Sequence, residues 1–156
     1  MRALASAMAA SAPPFLIRLA RLEDAAELAR LITELGHPAS ADAIGARWPA
    51  WSAAGSTALV ATAANGSLLG VATLHRTEVL HRARPVGRIT LLVVDAKWRG
   101  HGIGRALVAA CEDELRRACC GLLEVTSNLR RVDAHAFYER LGYERTSHRF
   151  AKTLQS

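Results

Sequence analysis

Cysteine is scarce in this chain: Cys111, Cys119 and Cys120 are the three in 156 residues, two of them are adjacent, and none forms a C-x-x-C pair. That excludes a disulfide framework and a thiolate metal cage, and it fits a reducing compartment, read here as cytoplasmic. Aromatic residues are equally sparse, at 5%. Arg82, Arg84, Arg88, Arg116, Arg117, Arg130 and Arg131 stand without interleaved aromatics and are scattered over several elements, which argues against a nucleic-acid partner. Histidine lacks metal-ligand spacing. His75, His81, His135 and His148 complete no H-E-x-x-H pattern, so no metal is expected. There is no G-x-S-x-G elbow for a serine hydrolase, and Cys111 falls on an apolar helix stripe, as a small buried thiol would. Charge is missing from residues 48–74, a stretch long enough to span a membrane, but Pro49, Gly55, Ser56, Asn65, Gly66 and Ser67 interrupt it and no membrane partner is expected. Residues 1–12 are alanine-rich, with Leu4 and two methionines as their strong apolar content, too little for a signal peptide. Residues 1–14 are read as a disordered tail, with Met8 as an alternative start.

What is present is enough apolar residue, 51%, for one ordinary domain over 15–156 to bury a core without staples. The formal charge of +6 implies an anionic partner: nucleic acid, acidic lipid or a polyphosphate-bearing small molecule. Phe15 to Leu19 reads as a strand. Leu28, Leu31, Ile32 and Leu35 then mark a helix that Gly36 and Pro38 stop. Ser40 can cap a second helix carrying Ile44, Trp48 and Trp51 on one face, with Pro49 as a kink or an early end. Asn65-Gly66 between two apolar runs is the two-residue signal for a type I′ hairpin. A central strand follows at "RITLLVV", then a helix through Ile103, Leu107, Cys111, Leu115 and Ala118, a strand at "GLLEVTS", a helix from Asp133 to Leu141, and a terminal strand pair in "GYERTSHRFAKTL". Strand–helix alternation joined to a meander predicts an α/β (α+β) domain, a mixed, mostly antiparallel sheet of six to seven strands with helices on both faces.

Arg99-Gly100-His101-Gly102-Ile103-Gly104 puts three glycines between the central strand and a helix. Such a turn exposes several N–H groups at a helix N-terminus, where phosphate oxygens bind. A Walker loop would end in Gly-Lys-Ser/Thr, and the chain has Gly104-Arg105-Ala106; the dinucleotide fingerprint G-x-G-x-x-G fails as well. The pattern that fits is R-x-x-G-x-G at Arg99, Gly102 and Gly104. Together with "AHAFYERLGY" one strand later, matching A-x-x-F-Y-x-x-x-G-[FY], it resembles the GNAT superfamily of N-acetyltransferases from Ile17 to Leu154. The resemblance implies acetyl-coenzyme A as cosubstrate. Backbone groups of Leu92, Val93 and Val94 would then align the pantetheine arm, and the amides of Gly100, His101, Gly102, Ile103, Gly104 and Arg105, with the charge of Arg99, would hold the pyrophosphate.

Acetyl transfer to an amine needs a neutral amine, an oxyanion partner and a proton for the departing thiolate. The resemblance gives the proton to Tyr138, although Ala134, Phe137, Tyr138 and Leu141 also describe an apolar stripe on which it could be a core tyrosine. Thr90 stands where many relatives carry a basic glutamate, and a threonine cannot accept a proton near neutrality. Glu124 in the next strand is the best remaining acid, or else an ordinary paired glutamate. The asparagine that often precedes the tyrosine by seven residues is replaced by Arg131, and Asn128 is the candidate three residues earlier. A catalytically weak acyl-CoA-binding or sensing module is the alternative function, a nucleic-acid binder a third. The substrate would be a small-molecule or peptide amine, with His37, Asp42, Trp48, Trp51, His75 and Glu78 available to line its cleft. A homodimer is left open.

Overall fold

The computed structural model describes residues 12–155, so most of the tail expected at residues 1–14 lies outside the described residues. The order is β1 (Phe15–Leu19), α1 (Ala25–Glu34), α2 (Ala41–Ala53), β2 (Ser56–Ala63), β3 (Leu68–Thr77), β4 (Val86–Val94), α3 (Ile103–Arg117), β5 (Leu122–Val125) and α4 (Val132–Arg140), with 3-10 turns at Leu22–Asp24 and Ala96–Trp98. The strands lie side by side in chain order, antiparallel from β1 to β4 and parallel between β4 and β5.

Helix boundaries follow the local chemistry. Gly36, at φ +102°, turns the chain out of α1 in a conformation that costs a side-chain-bearing residue about 1 kcal/mol or more. Ser40 Oγ accepts the Ala43 N–H at 3.1 Å and caps α2. Pro49 neither ends that helix nor is buried: α2 runs on to Ala53, with Trp48 and Trp51 half-buried and their rings 5.3 Å apart. The hairpin differs from the expected two-residue type I′ turn. Gly66 has a positive φ but Asn65 does not, the Gly66 N–H reaches Ala63 O at 2.9 Å, and Asn65 Oδ1 takes the Ser67 N–H at 3.0 Å. This is a three-residue loop with glycine in the left-handed position, chosen because the asparagine side chain closes its own turn.

Two helical layers sandwich the sheet. On one face α3 buries Ile103, Leu107, Cys111 and Leu115 against Leu59, Ala61, Leu74 and Ile89, with Phe137, Tyr138 and Leu141 of the α4 region packed alongside. On the other, Leu28 and Leu31 of α1 cover Val60, Val71 and Val93, with Ile44, Trp48 and Trp51 of α2 at the margin. Truncating a fully buried side chain such as Leu107 to alanine should cost about 2–5 kcal/mol. The fold class is as expected, but the sheet has five strands, not six to seven. Residues 143–155 hold no strand: large apolar residues are too few for a buried face, and Phe150 and Leu154 are exposed. The start of the segment is tethered, Tyr143 Oη donating to Glu112 Oε1 at 3.2 Å and Arg145 Nε to Glu139 Oε1 at 2.5 Å. No helix among the described residues is long and apolar enough to cross a membrane.

Candidate functional site

Strand β4 is paired unequally on its two sides. Along β3 it is paired from Val86 to Val94, with an irregularity that leaves Thr90 without a partner in the ladder. Along β5 pairing stops at Ile89, opposite Val125. Residues 90–94 therefore present an open backbone edge where the two parallel strands part, the kind of edge to which an extended amide-bearing chain adds as a strand. Side chains are largely engaged in packing. Val93 is buried under α1, and the half-buried Leu92 and Val94 pack toward α3, so what this edge chiefly offers a ligand is backbone.

The open edge runs into the glycine turn. Asp95 Oδ1 accepts the Lys97 N–H at 2.9 Å and starts the 3-10 turn, and Arg99 Nε donates to Val94 O at 3.1 Å, folding the turn back on the strand end. Gly100 and Gly102 sit at φ +78° and +82°, and a Cβ built on either would meet no protein atom within 4 Å. Glycine is needed there for its backbone conformation, and the space a side chain would enter is left open. Gly102 is the N-cap of α3, and the Ala106 N–H is bonded to its carbonyl at 3.0 Å. The N–H groups of Ile103, Gly104 and Arg105, in the turn before it, have no carbonyl within the helix to reach. With the helix dipole they form a concave set of donors fit for a diphosphate, and Arg105 adds charge from an exposed position. His101 Nδ1 lies 2.9 Å from Arg99 O and 3.2 Å from Trp98 O, so its ring stabilises the turn.

Gly104 has a different setting. A Cβ there would lie 3.5 Å from both Phe137 Cζ and Val94 Cγ2, an ordinary contact, so the Phe137 ring of α4 seats directly against the turn. The two motifs meet at this contact, which puts Tyr138 beside the same strand end. Tyr138 stacks edge-on with Phe137 at 5.1 Å and Tyr143 at 5.6 Å, and its hydroxyl has no hydrogen-bond partner among the described residues although its ring is half-buried. Burial, reinforced by the neighbouring Cys111 and opposed by Arg131, pushes its pKa up to about 12. The group is a proton donor at any physiological pH.

Glu124 is elsewhere. Leu123 and Val125 face α3, so Glu124 projects from the opposite face of the sheet, where it is ion-paired with Arg88, whose Nε is 2.9 Å from Glu124 Oε1. Tyr138 packs on the α3 side of the sheet and Glu124 projects from the other, so the two do not touch. Asn128 is occupied in shaping the chain before α4: Oδ1 accepts the Arg130 N–H, and its carbonyl accepts from Arg131 N and from His135 Nε2, each at 2.9 Å. Of the residues proposed for the acceptor cleft, Trp48, Trp51 and His75 share the α1–α2 side of the sheet; His37 and Asp42 are exposed, and Glu78 pairs with Arg76 beyond β3. Among the described residues no cluster of three or more His, Cys, Asp or Glu could hold a metal.

One anchor of the site had no motif to announce it. Arg30 of α1 donates to Asp95 Oδ2 and to Leu68 O, both at 2.8 Å, Glu27 accepts from Leu68 N, and Glu34 Oε1 accepts the Ala96 N–H at 2.8 Å. These bonds fasten the start of the glycine turn to the helix on the far face. Burial pushes the Asp95 carboxyl up, but the Lys97 N–H and the Arg30 guanidinium outweigh it and hold the pKa below the usual carboxylate range.

Residues 22–143 match the model of the Acetyltransferase (GNAT) family. The chain is 43% identical over 90 residues to an aminoalkylphosphonate N-acetyltransferase of Salmonella typhimurium, a match spanning 58% of each chain. It is 34% identical over 142 residues, 89% of its own length and 91% of the relative's, to an aminoglycoside N(6′)-acetyltransferase type 1 of Stenotrophomonas maltophilia. The solved structure of a Trypanosoma brucei acetyltransferase superposes with a TM-score of 0.80 at 25% identity, covering 90% of this chain and 100% of that one. A family match over most of the chain, joined to an open β4 edge that leads into a donor-lined turn, makes this protein a member of the GNAT acetyltransferase family.

Proposed function

We propose that the chain is an acetyl-CoA-dependent N-acetyltransferase that acts on a primary amine of a small polar molecule. The observation that carries this reading is the continuity of the open β4 edge at residues 90–94 with the turn at residues 99–105. The edge suits the two amides of a pantetheine arm, the turn suits a diphosphate, and their order along one strand end is the order of those groups in coenzyme A. The space left by absent side chains at Gly100 and Gly102 is the cradle into which phosphate oxygens would come. Leu92, Val93 and Val94 bind through their backbone, Gly100, His101, Gly102, Ile103, Gly104 and Arg105 through their amides, and Arg99 and Arg105 through charge. Asn128 contributes by setting the path of the chain into α4.

The thioester carbonyl would lie at the β4–β5 opening, between Tyr138 on one side of the sheet and Glu124 on the other. Tyr138 holds the proton for the departing thiolate, which its raised pKa and unbonded hydroxyl allow. The Oε1 of Glu124 is engaged by Arg88, which leaves Oε2 to attract the ammonium of an arriving acceptor. Thr90, bonded to Thr73 Oγ1 at 2.7 Å, does not serve as a base. Both named relatives are N-acetyltransferases of polar amines, which supports the acceptor class. An acetyl-CoA cosubstrate and three unpaired cysteines support a cytoplasmic setting for the reaction. Incubating the chain with acetyl-CoA and either 2-aminoethylphosphonate or sisomicin tests the reading: thiol release with acetylated amine supports it. Acetyl-CoA binding without turnover would favour a sensing module instead.

A further inference from the structure

Four strands each place one polar residue in a single cross-strand row. Ser56 of β2 is in register with His75 of β3, His75 with Arg88 of β4, and Arg88 with Glu124 of β5. Side chains in register on adjacent strands share a face. The face is the one away from α3, because Leu74, Ile89, Leu123 and Val125, each adjacent in sequence to a member of the row, pack on the α3 side. The row is bonded pairwise, with Ser56 Oγ 3.0 Å from His75 Nδ1 and Arg88 Nε 2.9 Å from Glu124 Oε1. One step along, the Thr73–Thr90 pair marks the irregularity in β4. The apolar cover from α1 and α2 lies over Ala58, Val60, Val71 and Val93. A sheet face covered by helices is ordinarily lined by apolar side chains. A polar row four strands wide, level with the point where β4 and β5 part, departs from that pattern at the place where an acceptor must enter.

We infer that this row is the floor of the acceptor site and that His75 takes the proton of the acceptor ammonium, an assignment that rests on the acetyltransferase reading above. With Nδ1–H donating to Ser56 Oγ, the lone pair of His75 is on Nε2, which has no partner among the described residues. An imidazole accepts and releases protons near neutrality, which a threonine cannot do. The charged groups about His75 are Arg88 beside it on β4, Glu124 beyond Arg88, and Arg76 and Glu78 further along its own chain. The ammonium gives one proton to Nε2. The neutral nitrogen then attacks the thioester carbonyl, the N–C bond forms, the C–S bond breaks, and the thiolate takes the Tyr138 proton. The tyrosinate recovers a proton from the second one that the nitrogen loses, through solvent, and the imidazolium releases its own to water. The class of acceptor that fits is a small primary amine, cationic on arrival and drawn by Glu124 Oε2.

The test uses the whole chain with 2-aminoethylphosphonate and sisomicin as probes, comparing wild type with His75→Gln and His75→Ala. In both variants kcat/KM should fall about a hundredfold or more, and the acidic limb of its pH profile should disappear. Imidazole in the buffer should restore turnover to His75→Ala and not to His75→Gln, whose side chain fills the space. The rise in melting temperature with acetyl-CoA should be the same in all three proteins. A variant that keeps the wild-type rate and limb, or one that loses rate with the limb intact and no response to imidazole, overturns the assignment. A wild-type chain that binds acetyl-CoA but acetylates neither probe contradicts the acetyltransferase reading itself, and the assignment with it.

Discussion

Gly102 and Gly104 lie two residues apart in one motif, and the structure predicts opposite consequences for replacing each with alanine. At Gly102 the backbone is left-handed, at φ +82°, so a methyl group costs about 1–2 kcal/mol whatever the space around it. For a chain of this length that is a loss of roughly 3–6 °C in melting temperature. At Gly104 the backbone is helical and a Cβ would sit 3.5 Å from Phe137 and Val94, an ordinary contact. Alanine there should be neutral or stabilising by up to about 1 kcal/mol, through helix propensity. Ligand response separates the two further. The Gly102 methyl would project into the open space before the Ile103, Gly104 and Arg105 amides, whereas the Gly104 methyl would point at protein. Acetyl-CoA at about a hundred times its dissociation constant stabilises by about 2.7 kcal/mol, and a tenfold weaker affinity removes about 1.4 kcal/mol of that. Thermal unfolding of wild type, Gly102→Ala and Gly104→Ala with and without acetyl-CoA should show a rise in wild type and Gly104→Ala, and a rise at most half as large in Gly102→Ala. Equal rises in all three would refute the placing of the diphosphate at this turn.

Tyr138→Phe should lower turnover roughly a hundredfold and leave the melting temperature unchanged, because the hydroxyl has no hydrogen-bond partner among the described residues; lost stability with intact turnover would mark it as a core tyrosine. Asp95 has a depressed folded pKa, so its contribution is present above the unfolded value near 4 and fades as pH falls through the folded one. Asp95→Asn should therefore destabilise at pH 7 and progressively less as pH falls below the unfolded value, by urea unfolding, and a pH-independent difference would contradict the Arg30 link. Burial pushes the Cys111 thiol up to about 12, so a water-soluble disulfide reagent should modify exposed Cys119 quickly and Cys111 only on unfolding. Rapid labelling of Cys111, mapped by peptide mass, would show that α3 is not packed as described.

Local chemistry was legible where one stretch of chain decided it. The Leu28–Leu31 stripe, the Ser40 cap and the turn from Arg99 to Gly104 all depend on neighbours within a few residues, and the structure has them in place. Asn65-Gly66 marked a turn but not its type, since Asn65 closes on Ser67 in place of adopting a positive φ. The terminal strand pair was over-read, because the apolar spacing of Phe150 and Leu154 suits an extended chain whether or not a partner strand is present. What pattern reading could not reach is what depends on register. Ser56, His75, Arg88 and Glu124 are far apart in sequence and become a row only once three strand pairings are known. Arg30 and Asp95, 65 residues apart, are likewise an exposed helix arginine and a loop aspartate until the fold joins them.

Acetyl transfer from coenzyme A to an amine at the β4–β5 opening, as proposed, makes a definite kinetic demand. The most direct measurement is single-turnover mixing of the wild-type chain with acetyl-CoA and an amine acceptor, following free thiol and acetylated amine together. Both should appear at the same rate, one acetylated amine for each thiol, with no acetyl group left on the protein. Acetylated protein accumulating before product would contradict direct attack, and thiol release without acetylated amine would contradict acetyltransfer.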